Sequence, residues 1–288
     1  MEFLLWDNPS CFLLSYLVAL AAEVAQVLSA RSRPLQTTVF VAIVAGLVAH
    51  TAYLMARVNH SGLPPLVGSS HDWLLVLAWL GVVVCLLLLF STKSAQAIFL
   101  LPVIVVLVLL AVSVDAAPSN VDRSGSGRRW AMLHAASLMI GMALVAAASV
   151  SALMYLMQYQ KLQGKIAWVR RLRLPSLERL TIVNYWLVIG CYPLLTVGLF
   201  SGFILSAGET SVPWTDPIIG ATVVVWMIMS INLVLLLRTR DQTGRTVARR
   251  TLLAGGLLLV SILGLTFVTG GIHNDSSVLS PPPQQEAA

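Results

Sequence analysis

Apolar residues gather along this chain into eight long stretches, near 12–30, 37–57, 73–91, 95–114, 131–157, 182–206, 214–237 and 251–271, with short polar gaps between them. A helix needs about 20 apolar residues to cross roughly 30 Å of hydrocarbon, and the stretches have that length. They lack the two-residue alternation of a membrane strand. The pattern predicts an all-α, polytopic integral membrane protein with about eight transmembrane helices. Residues 1–273 then form a single eight-helix membrane domain. Residues 274–288, with Pro281, Pro282, Pro283 and two Gln, read as a disordered outer tail.

Composition agrees with that reading. The chain is 58% hydrophobic and only 10% charged, with a mean hydropathy of +0.86, whereas soluble domains carry about 25% charged residues. The net charge of +6 does not point to nucleic acid, because the cations sit at the ends of spans. Arg31 and Arg33 follow the first span, and Lys93 the third. Lys161, Lys165, Arg170, Arg171, Arg173 and Arg179 follow the fifth, and Arg238, Arg240, Arg245, Arg249 and Arg250 the seventh. The other gaps hold Arg57, Arg123, Arg128 and Arg129. An excess of Lys and Arg marks the cytoplasmic side, so alternate gaps are inside and both termini outside.

The gaps differ in texture. Asp115–Arg129, rich in Ser, Gly, Pro and charge, reads as a flexible outer loop. Leu162–Leu180 interleaves basic residues with Leu, Ile, Trp168 and Val169, and reads as an amphipathic helix on the anionic inner surface of the bilayer. Cys11, Cys85 and Cys191 form no CxxC pair and are expected as small buried residues within spans. Met1–Ser10 carries Glu2 and Asp7 and no cation, the wrong sign for a cleavable leader.

Few residues here can carry chemistry. His134 follows Arg128-Arg129-Trp130 at the outer mouth of the fifth span, and His273 closes the last span on the same side. Two neutral imidazoles at one membrane depth can supply both axial ligands of a haem iron. Arg128 and Arg129 are donors for haem propionates, and outer Trp side chains can flank the macrocycle. The bland alternative makes both histidines polar anchors at the interface. His50 lies within the second span, either as a functional group or as a neutral His bonded to a neighbouring helix. His60 and His71 read as solvated loop residues. Glu23 is an acid deep in a span with no obvious relay series around it. Trp214 and Asp216 lie in a short outer turn, Asp216 also fitting an N-cap before Pro217.

Taken in order, these residues resemble the CcsA/ResC/HemX-type cytochrome c assembly family over nearly the whole chain. Val48-Ala-His-Thr-Ala-Tyr-Leu54 is similar to the family's second-span His segment. Asp72-Trp73 to Trp79, then Leu101-Pro102, look like its third and fourth spans. The stretch from 130 to 273 is the strongest: Leu133-His134-Ala-Ala, Ala152-Leu-Met-Tyr-Leu-Met-Gln158 and Leu174-Pro-Ser-Leu-Glu-Arg-Leu180, then Trp214-Thr-Asp-Pro217 and Gly270-Gly-Ile-His273. Two departures stand out. Only Trp214 and Asp216 remain of the Trp-rich signature WGxxWxWD, and the seventh span ends in Leu236-Leu237-Arg238 where haem-exporting members have a His nearby. These departures place the chain closer to the HemX-like branch.

The resemblance implies a haem-handling protein of the bacterial cytoplasmic membrane. It would hold non-covalent haem b at the outer face, with His134 and His273 as axial ligands and Trp214, Asp216, Arg128, Arg129 and His50 in cofactor contact. Haem would be presented for attachment to apocytochrome c with a ResB/CcsB-type membrane partner, and with no catalytic residue in this chain. The alternatives are a HemX-like regulator or scaffold of haem biosynthesis, and a small-molecule transporter.

Overall fold

The computed structural model describes residues 9–28, 33–61, 69–92, 97–114, 126–164, 174–206, 217–238 and 244–275; for 261–275 and several residues at helix ends it describes the backbone only. All of the regular structure in the described residues is helical. The helices are α1 (Ser10–Leu28), α2 (Arg33–Ser61), α3 (Ser70–Thr92), α4 (Ala97–Ser113), α5 (Ser126–Leu162), α6 (Leu177–Ser206), α7 (Pro217–Arg238) and α8 (Gly244–Asp275). Within α2, α3, α5 and α6 lie segments long and apolar enough to cross a bilayer, and shorter apolar segments lie in α1, α4 and α7. Phe90, Trp186, Phe200, Phe203 and Leu253 stand exposed, as expected of side chains facing lipid. This is a multi-pass membrane protein.

Helix ends reach beyond the apolar stretches, because a span's apolar length records where it enters hydrocarbon and not where its hydrogen bonds begin. Helix α5 starts at Ser126, so Arg128, Arg129 and Trp130 ride on a helix and not in a loop. Arginine heads and the indole suit the headgroup layer. At the opposite end of the bundle α8 starts at Gly244, and Arg245 stacks over the Tyr159 ring at 5.2 Å. Pro175 precedes α6, and Ser176 Oγ accepts a 3.4 Å bond from the Arg179 N–H, an N-cap arrangement. The proposed surface helix therefore gives up Leu177–Leu180 to α6, while residues 165–173 lie outside the described residues. So do most of the outer loop from 115 and the tail from 276.

The helices pack as two sets of four. In the first, α1 packs on α2 and α4, and α3 on α2 and α4; in the second, α5 packs on α6 and α8, and α7 on α6 and α8. Helix α5 joins the sets by also packing on α3 and α4. Its central place shows in burial: 72% of its most apolar stretch is buried, against 33% for α6. Without a hydrophobic force between helices in lipid, close contact depends on small residues. Gly198 receives Leu138, and Gly141 meets Leu195 so tightly that a methyl there would lie 2.9 Å from its Cδ2. Gly255 lies against Ser149, whose hydroxyl donates to Thr251 O at 3.1 Å.

Gly255→Leu is expected to force α8 off α5 and cost about 1–3 kcal/mol of overpacking. Thermal unfolding in detergent measures it, and a wild-type midpoint would contradict the close approach. The cysteine expectation holds for Cys85 and Cys191, which are buried; Cys11 is exposed among the described residues.

Candidate functional site

His134 sits on the third turn of α5, against α6. Its Nδ1 lies 2.7 Å from the carbonyl oxygen of Gly198. A carbonyl only accepts, so Nδ1 carries the hydrogen, and in the neutral ring the lone pair is then on Nε2. The same carbonyl accepts from Ser201 Oγ at 2.9 Å. One turn further out along α6, Gly202 leaves room for the ring itself, since a methyl there would meet His134 Cε1 at 2.5 Å and Nδ1 at 2.7 Å. The imidazole is half-buried, and Arg128, Arg129 and Trp130 are exposed on the two turns outward of it.

His273 lies two residues before the C-terminal end of α8, in the part described by backbone only. Further along the antiparallel α5–α8 pair, Ser149 faces Gly255 and Thr251, and Tyr155 faces Gly244. The two helices therefore place His134 and His273 toward the same end of one packed pair. Trp214 and Asp216 lie outside the described residues, directly before α7, which starts at Pro217 as the Asp-Pro pair predicts.

Two other histidines belong to the first four-helix set. His50 is fully buried. Its Nδ1 shares a 3.2 Å hydrogen bond with the Tyr16 hydroxyl, and its ring stacks on Phe12 at 4.2 Å. Gly46 makes room for Tyr16, whose ring lies where a side chain there would project. Its Nε2 has no partner among the described residues. Because α2 packs on α1 and α3, the structure does not bring His50 to His134. Tyr16→Phe would leave both ring nitrogens of a buried imidazole unsatisfied. A loss of about 1–3 kcal/mol is expected, read by thermal unfolding; an unchanged midpoint would remove Tyr16 from the account of α1–α2 packing.

His71 is not solvated, contrary to the sequence reading. It is 5% exposed, donates from Nδ1 to Ala111 O at 2.7 Å, and accepts at Nε2 from the Tyr53 hydroxyl at 3.2 Å. The cause is a capping box at the start of α3. Ser69 N–H donates to Asp72 Oδ2 at 3.3 Å, and Asp72 N–H donates back to Ser69 Oγ at 3.3 Å. Asp72 also accepts a two-pronged bond from Arg57, at 2.9 Å from Nε and 3.1 Å from Nη2. The side chain of His60 lies outside the described residues. Glu23 is buried in α1.

The sequence profile of the cytochrome C assembly protein family matches residues 9–273, a span that runs through all eight helices. The chain belongs to this family. Over 106 residues it is 30% identical to a cytochrome c biogenesis protein CcsA from Thermosynechococcus vestitus, a match covering 34% of this chain and 33% of that relative. The aligned stretch therefore spans about a third of the relative's length. Family membership places the protein in cytochrome c biogenesis, and the residues matched by the family profile, 9–273, include both His134 and His273.

Proposed function

We propose that this cytochrome c assembly protein binds haem b non-covalently at the outer ends of α5 and α8 and presents it for attachment to apocytochrome c. The observation that carries the reading is the 2.7 Å bond from His134 Nδ1 to Gly198 O. A metal-ligating histidine characteristically donates its other ring N–H to a carbonyl or carboxylate, and His134 makes that bond to Gly198 O. Haem, when bound, supplies the vinyl groups on which the apocytochrome thioethers form.

The chain's own residues do the holding. Nε2 of His134 and the imidazole of His273 would hold the iron, from two helices that pack directly on each other. Arg128 and Arg129, exposed near the start of α5, are the partners for propionates. Trp214 offers a flat apolar surface, and Asp216 a carboxylate to fix a neighbouring cation. His50 stays outside this site as the polar link between α1 and α2. The setting is the bacterial cytoplasmic membrane, with a ResB/CcsB-type partner and with thiol reduction supplied from elsewhere. Arg238, which ends α7 where haem-exporting relatives carry a nearby His, favours a second reading in which the same haem site reports haem supply to its biosynthesis.

Complementation separates the two. In cells lacking the chromosomal copy, His134→Ala and His273→Ala are each expected to lower haem-stained holocytochrome c at least about tenfold, in line with ligand loss. Wild-type levels of holocytochrome c from both variants would overturn the assembly reading.

A further inference from the structure

We infer that Gly202 is a positioning residue for His134, and that Gly198 and Gly202 together form a notch in α6 that fixes the tautomer and direction of the imidazole. This rests on the haem reading above and adds a device that the ligand assignment alone does not contain. Three observations converge on it. The Gly198 carbonyl receives Nδ1–H at 2.7 Å. A methyl on Gly202 would occupy the space of the ring, 2.5 Å from Cε1. Gly198 itself is filled by Leu138, one turn along α5 from His134, so the ring cannot slide along the groove toward it.

The clash at Gly202 is with the far end of a two-torsion side chain, not with backbone. An alanine there moves the imidazole more readily than it moves the helices. Alanine is also the better helix former, so α6 itself is not weakened. The displaced ring loses the carbonyl and with it the preference for hydrogen on Nδ1. Iron is then offered a ring that is no longer held in one orientation.

The test compares Gly202→Ala with Gly190→Ala, a control on the same helix where a new methyl would meet only Leu144 Cδ1 at 3.4 Å. In purified, folded protein, Gly202→Ala is expected to weaken haem binding about 10- to 100-fold, the range found when the outer partner of a ligand is lost. The six-coordinate absorption pattern should fade and return on adding imidazole. In haem-free protein, carbethoxylation of His134 by diethyl pyrocarbonate, mapped by mass spectrometry, should change rate in Gly202→Ala and not in Gly190→Ala. Wild-type affinity, spectrum and reactivity in Gly202→Ala would overturn the inference.

If Gly202→Ala fails to fold, 15N-histidine spectra of the unaltered haem-free protein decide the matter, with the His134 signal assigned by its loss in His134→Ala. Hydrogen on Nδ1 supports the notch, and hydrogen on Nε2 overturns it. The two proposals fail separately. A six-coordinate spectrum that survives His134→Ala sinks the haem ligand, whereas a spectrum lost in His134→Ala and kept in Gly202→Ala sinks only the notch.

Discussion

His134→Ala is expected to convert a six-coordinate, low-spin haem into a five-coordinate, high-spin one, and His273→Ala to do the same from the other side of the macrocycle. On the proposed site, each variant would remove one iron-holding imidazole and leave the other histidine, on a different helix, in place. Loss of an outer partner alone costs about 10- to 100-fold in metal affinity, and loss of a ligand should exceed that. Added imidazole can enter the space left by the ring and is expected to restore the six-coordinate pattern in either variant. The reason to expect equal behaviour is architectural. Helices α5 and α8 pack directly against each other, and neither histidine is part of the buried core that holds the first four helices together. Low-spin spectra in both single variants would place the iron on other residues.

Asp72→Ala is expected to cause the largest loss of stability, about 2–4 kcal/mol. One carboxylate caps α3 through Ser69 and binds Arg57 on α2 through both of its oxygens. Breaking a buried pair by removing one partner costs about 3–5 kcal/mol, because the other charge stays behind without compensation. Arg57 keeps 28% of its side chain exposed, which lowers the figure, while loss of the cap adds about 1 kcal/mol. Thermal unfolding of haem-free protein in detergent reads it. The Arg57→Ala, Asp72→Ala double variant should lose less than the sum of the singles, as residues in one network do. Strict additivity would show that the pair contributes nothing to holding α2 against α3.

The eight helices were legible because hydrocarbon demands length and apolarity, and both are written locally in the sequence. Helix ends were not, since the headgroup layer accepts helix and loop alike; Arg128 and Arg129 were read as loop for that reason. His71 was misplaced although a signal stood beside it. Ser69-Ser-His-Asp72 is a capping pattern, and it marks the start of a helix inside what composition alone describes as a polar gap.

His134 and His273 could be singled out from the sequence, but which residues of α5 and α8 face each other is not written in either segment alone. The partners of His50 and His134 were beyond reach for the same reason. Tyr16 over Gly46, and the His134 ring over Gly202, are contacts between helices that sequence spacing does not pair. Trp214 and Asp216 remain readings from the resemblance.

Absorption of the detergent-purified protein from haem-replete cells, wild type beside the His134→Ala, His273→Ala double variant, tests the haem site most directly. The outer-face account expects a Soret band of bis-histidine character in the wild type and a colourless, folded double variant. A colourless wild type, or a double variant with an unchanged Soret band, would contradict it.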